Sequence, residues 1–227
     1  MQRLSLWNHH QTCPMNLLPL TYLGNVQYYT KLCFSPCIID PHEHFVKQSF
    51  RNRCEIFGTN GPISLTVPVV KQPNDSKASL RDTRIDPSKR WQHRHWESIR
   101  SAYGQSPYFE FYGEYFAPFY ERKYAFLFDL NLELTQLLLR LLDSDAKIVF
   151  TERYLLPEEL NVGTLDFRHA LSPKPRLHRP DPHFAPQPYC QVFAERFPFL
   201  PNLSMIDLLF CEGPEARNVL RNSVAGG

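Results

Sequence analysis

Apolar and polar positions alternate along this chain in two rhythms, and the points where one gives way to the other mark its elements. A short apolar run at residues 17–20 precedes Tyr22, Gly24, Tyr28, Tyr29 and Leu32, which keep near-helical spacing until Ser35-Pro36 interrupts them. Cys37-Ile38-Ile39-Asp40 then reads as a second short buried strand, so the chain opens as a β-α-β unit. A β-hairpin follows near 53–69. Residues 54–57 and 63–67 alternate on either side of Asn60-Gly61, a dipeptide that tolerates the positive φ of a tight turn, and Pro68 closes the second strand. Residues 71–84 are polar, with no period that demands a packed element.

Several helices are expected across 88–142. Asp86-Pro87 offers an N-cap and a proline at the first helical position, and Trp91, His95, Ile99 and Tyr103 follow on one face before Gly104. The aromatic stretch 108–124 is a second helix. Leu127, Leu130, Leu134, Leu137 and Leu141, opposed by Glu133, Gln136 and Arg140, mark an amphipathic third. A strand at 147–150 would return the chain to the sheet. Segment 173–188 holds six prolines and no glycine, which favours an extended course. Only 39 residues follow it, fewer than the ~40 that fold alone without staples, so the C-terminal segment must dock back on the core. The fold class is α/β: one mixed domain over 16–211, flanked by a disordered extension at 1–15 and a frayed C-terminus at 212–227. Met15 is an alternative start to Met1.

The 227-residue length suits a single domain, and 43% hydrophobic with 14% aromatic residues can fill its core. The net charge is only +2, from 25 Lys and Arg against 23 Asp and Glu, which argues against nucleic acid as partner, because phosphate binding needs a dense basic surface. No apolar stretch reaches the ~18 residues of a membrane span and no signal peptide opens the chain, so a cytoplasmic location is expected. Six dispersed cysteines fit a reducing compartment. With nine glycines and neither a Gly-x-Gly-x-x-Gly nor a Walker loop, no cofactor is expected; a Gly-x-Ser-x-Gly elbow is also missing.

Arg51-Asn52-Arg53, Gly61, Leu65-Thr66-Val67-Pro68-Val69, Trp91, His95, Tyr103 and Ser106-Pro107-Tyr108-Phe109 occur in an order and spacing of their own. To these add Pro19, Tyr22, Gly24, Tyr28-Tyr29, His44-Phe45-Val46-Lys47 and the tail Phe197-Pro198-Phe199-Leu200-Pro201-Asn202-Leu203-Ser204. Over roughly 16–211 the chain resembles the WbqC-like family of bacteria. The resemblance implies a place in surface polysaccharide biosynthesis of the O-antigen kind and carries no settled mechanism. Many members open with a Gln-Pro pair, whereas here Pro19 follows Leu18.

Lys47, Arg51, Asn52 and Arg53 form the densest polar and cationic cluster beside an expected strand. Guanidinium groups grip phosphates and carboxylates through paired hydrogen bonds, so the cluster is a candidate holder of a small-molecule or carrier-bound anionic substrate. Strand alternation would put Arg51 and Arg53 on one face; the bland alternative is an exposed edge or a structural ion pair. His95, inward on its helix, and His44 are candidate general bases. Tyr22 and Tyr103 complete the candidate substrate-binding set, although aromatic bands more often supply core. Cys33, Cys37, His42 and His44 invite a zinc proposal, but the spacing is poor and no metal is expected. Cys54 reads as a packed strand residue. Two functions stay open: an acyl or aminoacyl transferase acting on an amine such as an amino sugar, and a noncatalytic binding or assembly protein that recognises an anionic intermediate. The oligomeric state is left open.

Overall fold

A computed structural model describes residues 15–70, 78–173 and 179–225. In chain order the elements are β1 (Asn16–Leu18), α1 (Val26–Phe34), β2 (Cys37–Ile39), β3 (Arg53–Gly58), β4 (Gly61–Thr66), α2 (Trp91–Tyr103), α3 (Phe109–Glu121), α4 (Leu127–Leu141), β5 (Leu165–Asp166), α5 (Met205–Glu212) and α6 (Ala216–Asn222). β1 lies between β2 and β5, parallel to both, and β3 pairs antiparallel with β4. The molecule is therefore a mixed α/β domain, as the alternation of rhythms predicts.

The opening unit forms as expected. α1 starts where the Asn25 carboxamide accepts from the Tyr28 N–H at 2.9 Å, which satisfies one of the donors a helix start leaves unpaired. The hairpin turns at Gly61, whose φ of 110° is open to glycine and strained for other residues. α2, α3 and α4 cover the apolar stripes read from the sequence, and α2 ends at Gly104.

Four expectations are corrected. α2 begins at Trp91, because the Asp86 carboxylate is occupied by the N–H (2.9 Å) and hydroxyl (2.6 Å) of Ser88 and closes a local turn instead of capping a helix. The strand at 147–150 shrinks to one parallel bridge, Ile39 to Phe150, since β2 ends at Ile39 and only its N–H and carbonyl are left to pair, with Val149 and Thr151. Within 71–84, Leu80 is fully buried; residues 71–77 lie outside the described residues. Residues 212–225 are packed rather than frayed: α6 buries Ala216 and Leu220, and the strand-like residues 184 and 185 pair with Val224 and Ser223. The expected N-terminal extension lies outside the described residues apart from Met15, and 174–178 of the proline-rich segment lie outside them too.

α5 is the element around which the aromatic core closes. Met205, Ile206, Leu208, Leu209 and Phe210 are all buried, and the Phe210 ring lies 5.2–5.5 Å from Phe109, Tyr103 and Phe116. Among the described residues, no helix is long and apolar enough to cross a membrane.

Candidate functional site

In parallel sheets, ligand sites form beyond the carboxyl ends of the strands, where the connecting loops diverge. Here that edge gathers charge. Asp40 follows β2 directly, Asp166 ends β5, and Arg168 stands two residues beyond it. Arg168 reaches both acids: Nη1 donates to Asp40 Oδ2 at 2.8 Å and Nη2 to Asp166 Oδ2 at 2.8 Å. Asp40, fully buried, also accepts from the Thr151 hydroxyl and the His42 N–H.

A second pair leans on the first. Arg51 Nε donates to Glu43 Oε1 at 2.9 Å and Nη2 to Glu43 Oε2, while the same Nη2 donates to the Arg168 carbonyl at 2.8 Å. Arg51, Glu43 and Arg168 are almost without solvent contact. Burial pushes the Glu43 carboxyl up to about 7; Arg51 opposes that rise and Asp40 adds to it. Burial also works against ionisation of Asp166, but the Arg168 hydrogen bonds outweigh it and hold that carboxyl below its ordinary range.

Above this floor the surface is exposed and basic. His44 faces Tyr154 at 5.8 Å, and Tyr154 carries the Arg168 guanidinium 4.9 Å over its ring. Lys47 and His169 are exposed. His169 is held below the ordinary histidine range by partial burial and by the neighbouring charge of Arg51.

The residues singled out from the sequence thus divide. His44, Lys47 and Arg51 lie on the loop between β2 and β3 that leaves this edge. Arg51 and Arg53 do not share a face, because Arg51 precedes β3 and lies in a turn where strand alternation has no hold; Arg53 is half-exposed and donates to the Thr66 hydroxyl at 3.2 Å. Asn52 is buried and spans to the Val67 carbonyl at 2.8 Å. His95 is in the core. Its Nδ1 meets the Tyr22 hydroxyl at 2.9 Å, that hydroxyl meets Tyr120 at 3.0 Å, and Trp91 stands edge-on to the imidazole. Burial lowers His95 to about 4, against a hydrogen bond with the Thr66 backbone that favours the charged form. Tyr22 and Tyr103 are fully buried, so neither offers a substrate surface; the Tyr103 hydroxyl donates to Asp207 at 2.7 Å and accepts from the Phe57 N–H. Burial raises the Cys54 thiol, which suits a packed residue.

Cys37 donates to the Lys31 carbonyl and accepts from Asn16, and Cys33 sits beside Ser144. Among the described residues no three His, Cys, Asp or Glu side chains gather as a metal site. Asp40, Glu43, Asp166 and Arg168 escaped the sequence reading. Their one local signal is an acid placed directly after the apolar run Ile38-Ile39.

No curated protein and no solved structure matches this chain. The model of the WbqC-like protein family does, over residues 22–172, which span β2, the hairpin, α2 to α4 and the charged edge up to Arg168. The chain belongs to the WbqC-like protein family.

Proposed function

We propose that this protein is a group-transfer enzyme that moves an acyl or aminoacyl group from an activated, anionic donor to an amine such as that of an amino sugar, in assembly of bacterial surface polysaccharide. The carrying observation is the convergence of Asp40, Glu43, Arg51 and Arg168 beneath exposed His44 and half-buried Tyr154 at the carboxyl edge of the parallel sheet. In the reaction the amine nitrogen attacks the donor carbonyl, a C–N bond forms, the donor's C–S or C–O bond breaks, and the nitrogen releases a proton. His44 takes that proton, and the Lys47 ammonium holds the donor's phosphates. The buried ion pairs hold the loop that carries His44 and Lys47 in place.

A second reading has its own support. Arg51 and Arg168 are both engaged by carboxylates, so the floor offers little unspent charge for a reacting group. That favours a noncatalytic protein that recognises an anionic intermediate at the basic rim.

A thermal-shift screen with nucleotide sugars, acyl-coenzyme A and carrier thioesters identifies the donor, since binding to the native state raises apparent stability. Incubating the hit with glucosamine, with mass spectrometry of the products, separates the readings. Amide product from the parent, reduced about a hundredfold or more in His44→Ala, supports transfer. Binding without product leaves the binding reading. Product formation unchanged in His44→Ala removes His44 as the base.

A further inference from the structure

Among the described residues the most exposed apolar side chains on a helix lie on α3. Phe111 is 65% exposed and Tyr115, one turn later, 46%. Tyr108, at the helix start, has its ring 6.3 Å from that of Phe111 and 6.4 Å from that of Tyr112. With about 100° between successive helical residues, Tyr108, Phe111 and Tyr115 share one flank of the outer face. The other flank carries Glu110, Glu114 and Glu121, all exposed. No Lys or Arg occurs in α3, and Glu110 and Glu114 form no ion pair among the described residues. Tyr112 is pushed above the ordinary tyrosine range by burial and by the neighbouring Tyr108 and Tyr115. The opposite face of the helix is committed to the core through Gly113, Phe116 and Tyr120.

A row of aromatic faces beside a row of unpaired carboxylates has a definite chemical preference. It repels phosphates and other anions. It attracts an ammonium group, through both the carboxylates and the negative faces of the rings. Flat rings accept the C–H face of a pyranose, and phenol hydroxyls exchange hydrogen bonds with sugar hydroxyls. Exposed aromatic side chains grouped on one helix face, rather than scattered singly, are the kind of surface that interaction sites use.

We propose that the outer face of α3 is a docking site for a saccharide bearing a free ammonium group, stacked on Phe111 and Tyr115 with its nitrogen toward Glu110 and Glu114. The proposal rests on the amine-acceptor reading above and names where that acceptor, or the chain it belongs to, is held. The acidic flank of α3 and the basic rim of the sheet edge would then sort the two substrates by charge.

Titration calorimetry on the full chain tests this with a glucosamine hexamer and its fully N-acetylated counterpart. The free-amine hexamer should bind, and the acetylated one more weakly, because acetylation removes the charge. Phe111→Ala and Tyr115→Ala should each weaken the hexamer by about tenfold, the scale of a lost ring contact to a partly desolvated cation. Both side chains are exposed, so the melting temperature should hold, and the Glu110→Gln, Glu114→Gln double variant should erase the preference for the free amine. Equal binding of the two oligosaccharides, no binding of either, or binding unaltered in both alanine variants overturns the proposal. So does self-association of the parent that Phe111→Ala abolishes, which would assign the face to a second copy. The product assay on the parent separates the two readings. If the hexamer binds as expected while the parent gives no amide product with any donor, docking stands and transfer fails; if product forms but Phe111→Ala and Tyr115→Ala both leave hexamer binding intact, docking alone fails.

Discussion

Glu43 and His95 are both buried, and burial moves their proton affinities in opposite directions because in each it disfavours the charged form. For His95 the folded value is lowered from 6.5 to about 4, so its contribution to stability is present above 6.5 and is lost as pH falls through 4. The imidazole resonances of His95 should stay those of the neutral ring down to pH 5; a midpoint near 6.5 would mean that water reaches it. For Glu43 the folded value is raised from 4.5 to about 7, so the sign reverses: its contribution is present below 4.5 and is lost as pH rises through 7. Glu43→Gln removes this dependence. Its stability relative to the parent should therefore climb between pH 4.5 and 7 and level off above; a constant gap would show that Glu43 is ionised throughout. The two arginines differ as sharply. Arg51→Lys discards a bidentate pair in a site with 2% exposure and should cost roughly 2–4 kcal/mol in denaturant melts. Arg53→Lys, at a half-exposed contact with Thr66, should stay within about 0.5 kcal/mol.

Elements were legible in the sequence wherever a period and a stop signal agreed. α4 shows a leucine stripe over fifteen residues, and β3 and β4 alternate around Asn60-Gly61. At that turn Gly61 has φ 110° with open space around the position of a Cβ, so Gly61→Ala should cost only the backbone strain, roughly 1–2 kcal/mol by chemical denaturation. A neutral result would mean that the hairpin can shift its turn. Elements failed to be legible where a polar side chain had two possible local partners. Asp86 is as good a cap in composition as Asn25, yet Ser88 captures it, and only the positions of the atoms decide. The charged edge was illegible for a different reason: Asp40 and Arg168 are separated by 128 residues and Arg51 and Arg168 by 117. No local spacing encodes such partners, and an arginine in a sequence looks the same whether it faces a ligand or Glu43. Arg51 was found as a cluster of charge, while its buried acid eight residues earlier was passed over.

Across the whole molecule, the family match ends at 172, but the hydrophobic core does not. α5 inserts Met205, Ile206, Leu208, Leu209 and Phe210 among the aromatic residues of α2 and α3, and its entry is stitched to the N-terminal half by backbone bonds from Ser204 to Glu55 and from Met205 to Gly24. Asp207 sits inside that contact, accepting from Tyr103 on α2 and from Tyr189 and Gln191 on the approach to α5. Lys31 of α1 pairs with Asp181 at 2.8 Å and so pins the segment before it. Removing residues 189–227 would expose the apolar surface that α5 covers and leave the Tyr103 hydroxyl without its carboxylate. Five buried aliphatic and aromatic side chains at ~1.5–3 kcal/mol each together match in size the roughly 5–15 kcal/mol by which a domain is normally stable. Both a chain ending at 188 and one ending at 172 should therefore be insoluble or lack a cooperative melt, even though each contains the whole family match. A soluble truncation at 172 with a sharp thermal transition would show that α5 and α6 decorate an autonomous domain and that the core drawn around Phe210 is not what holds it together.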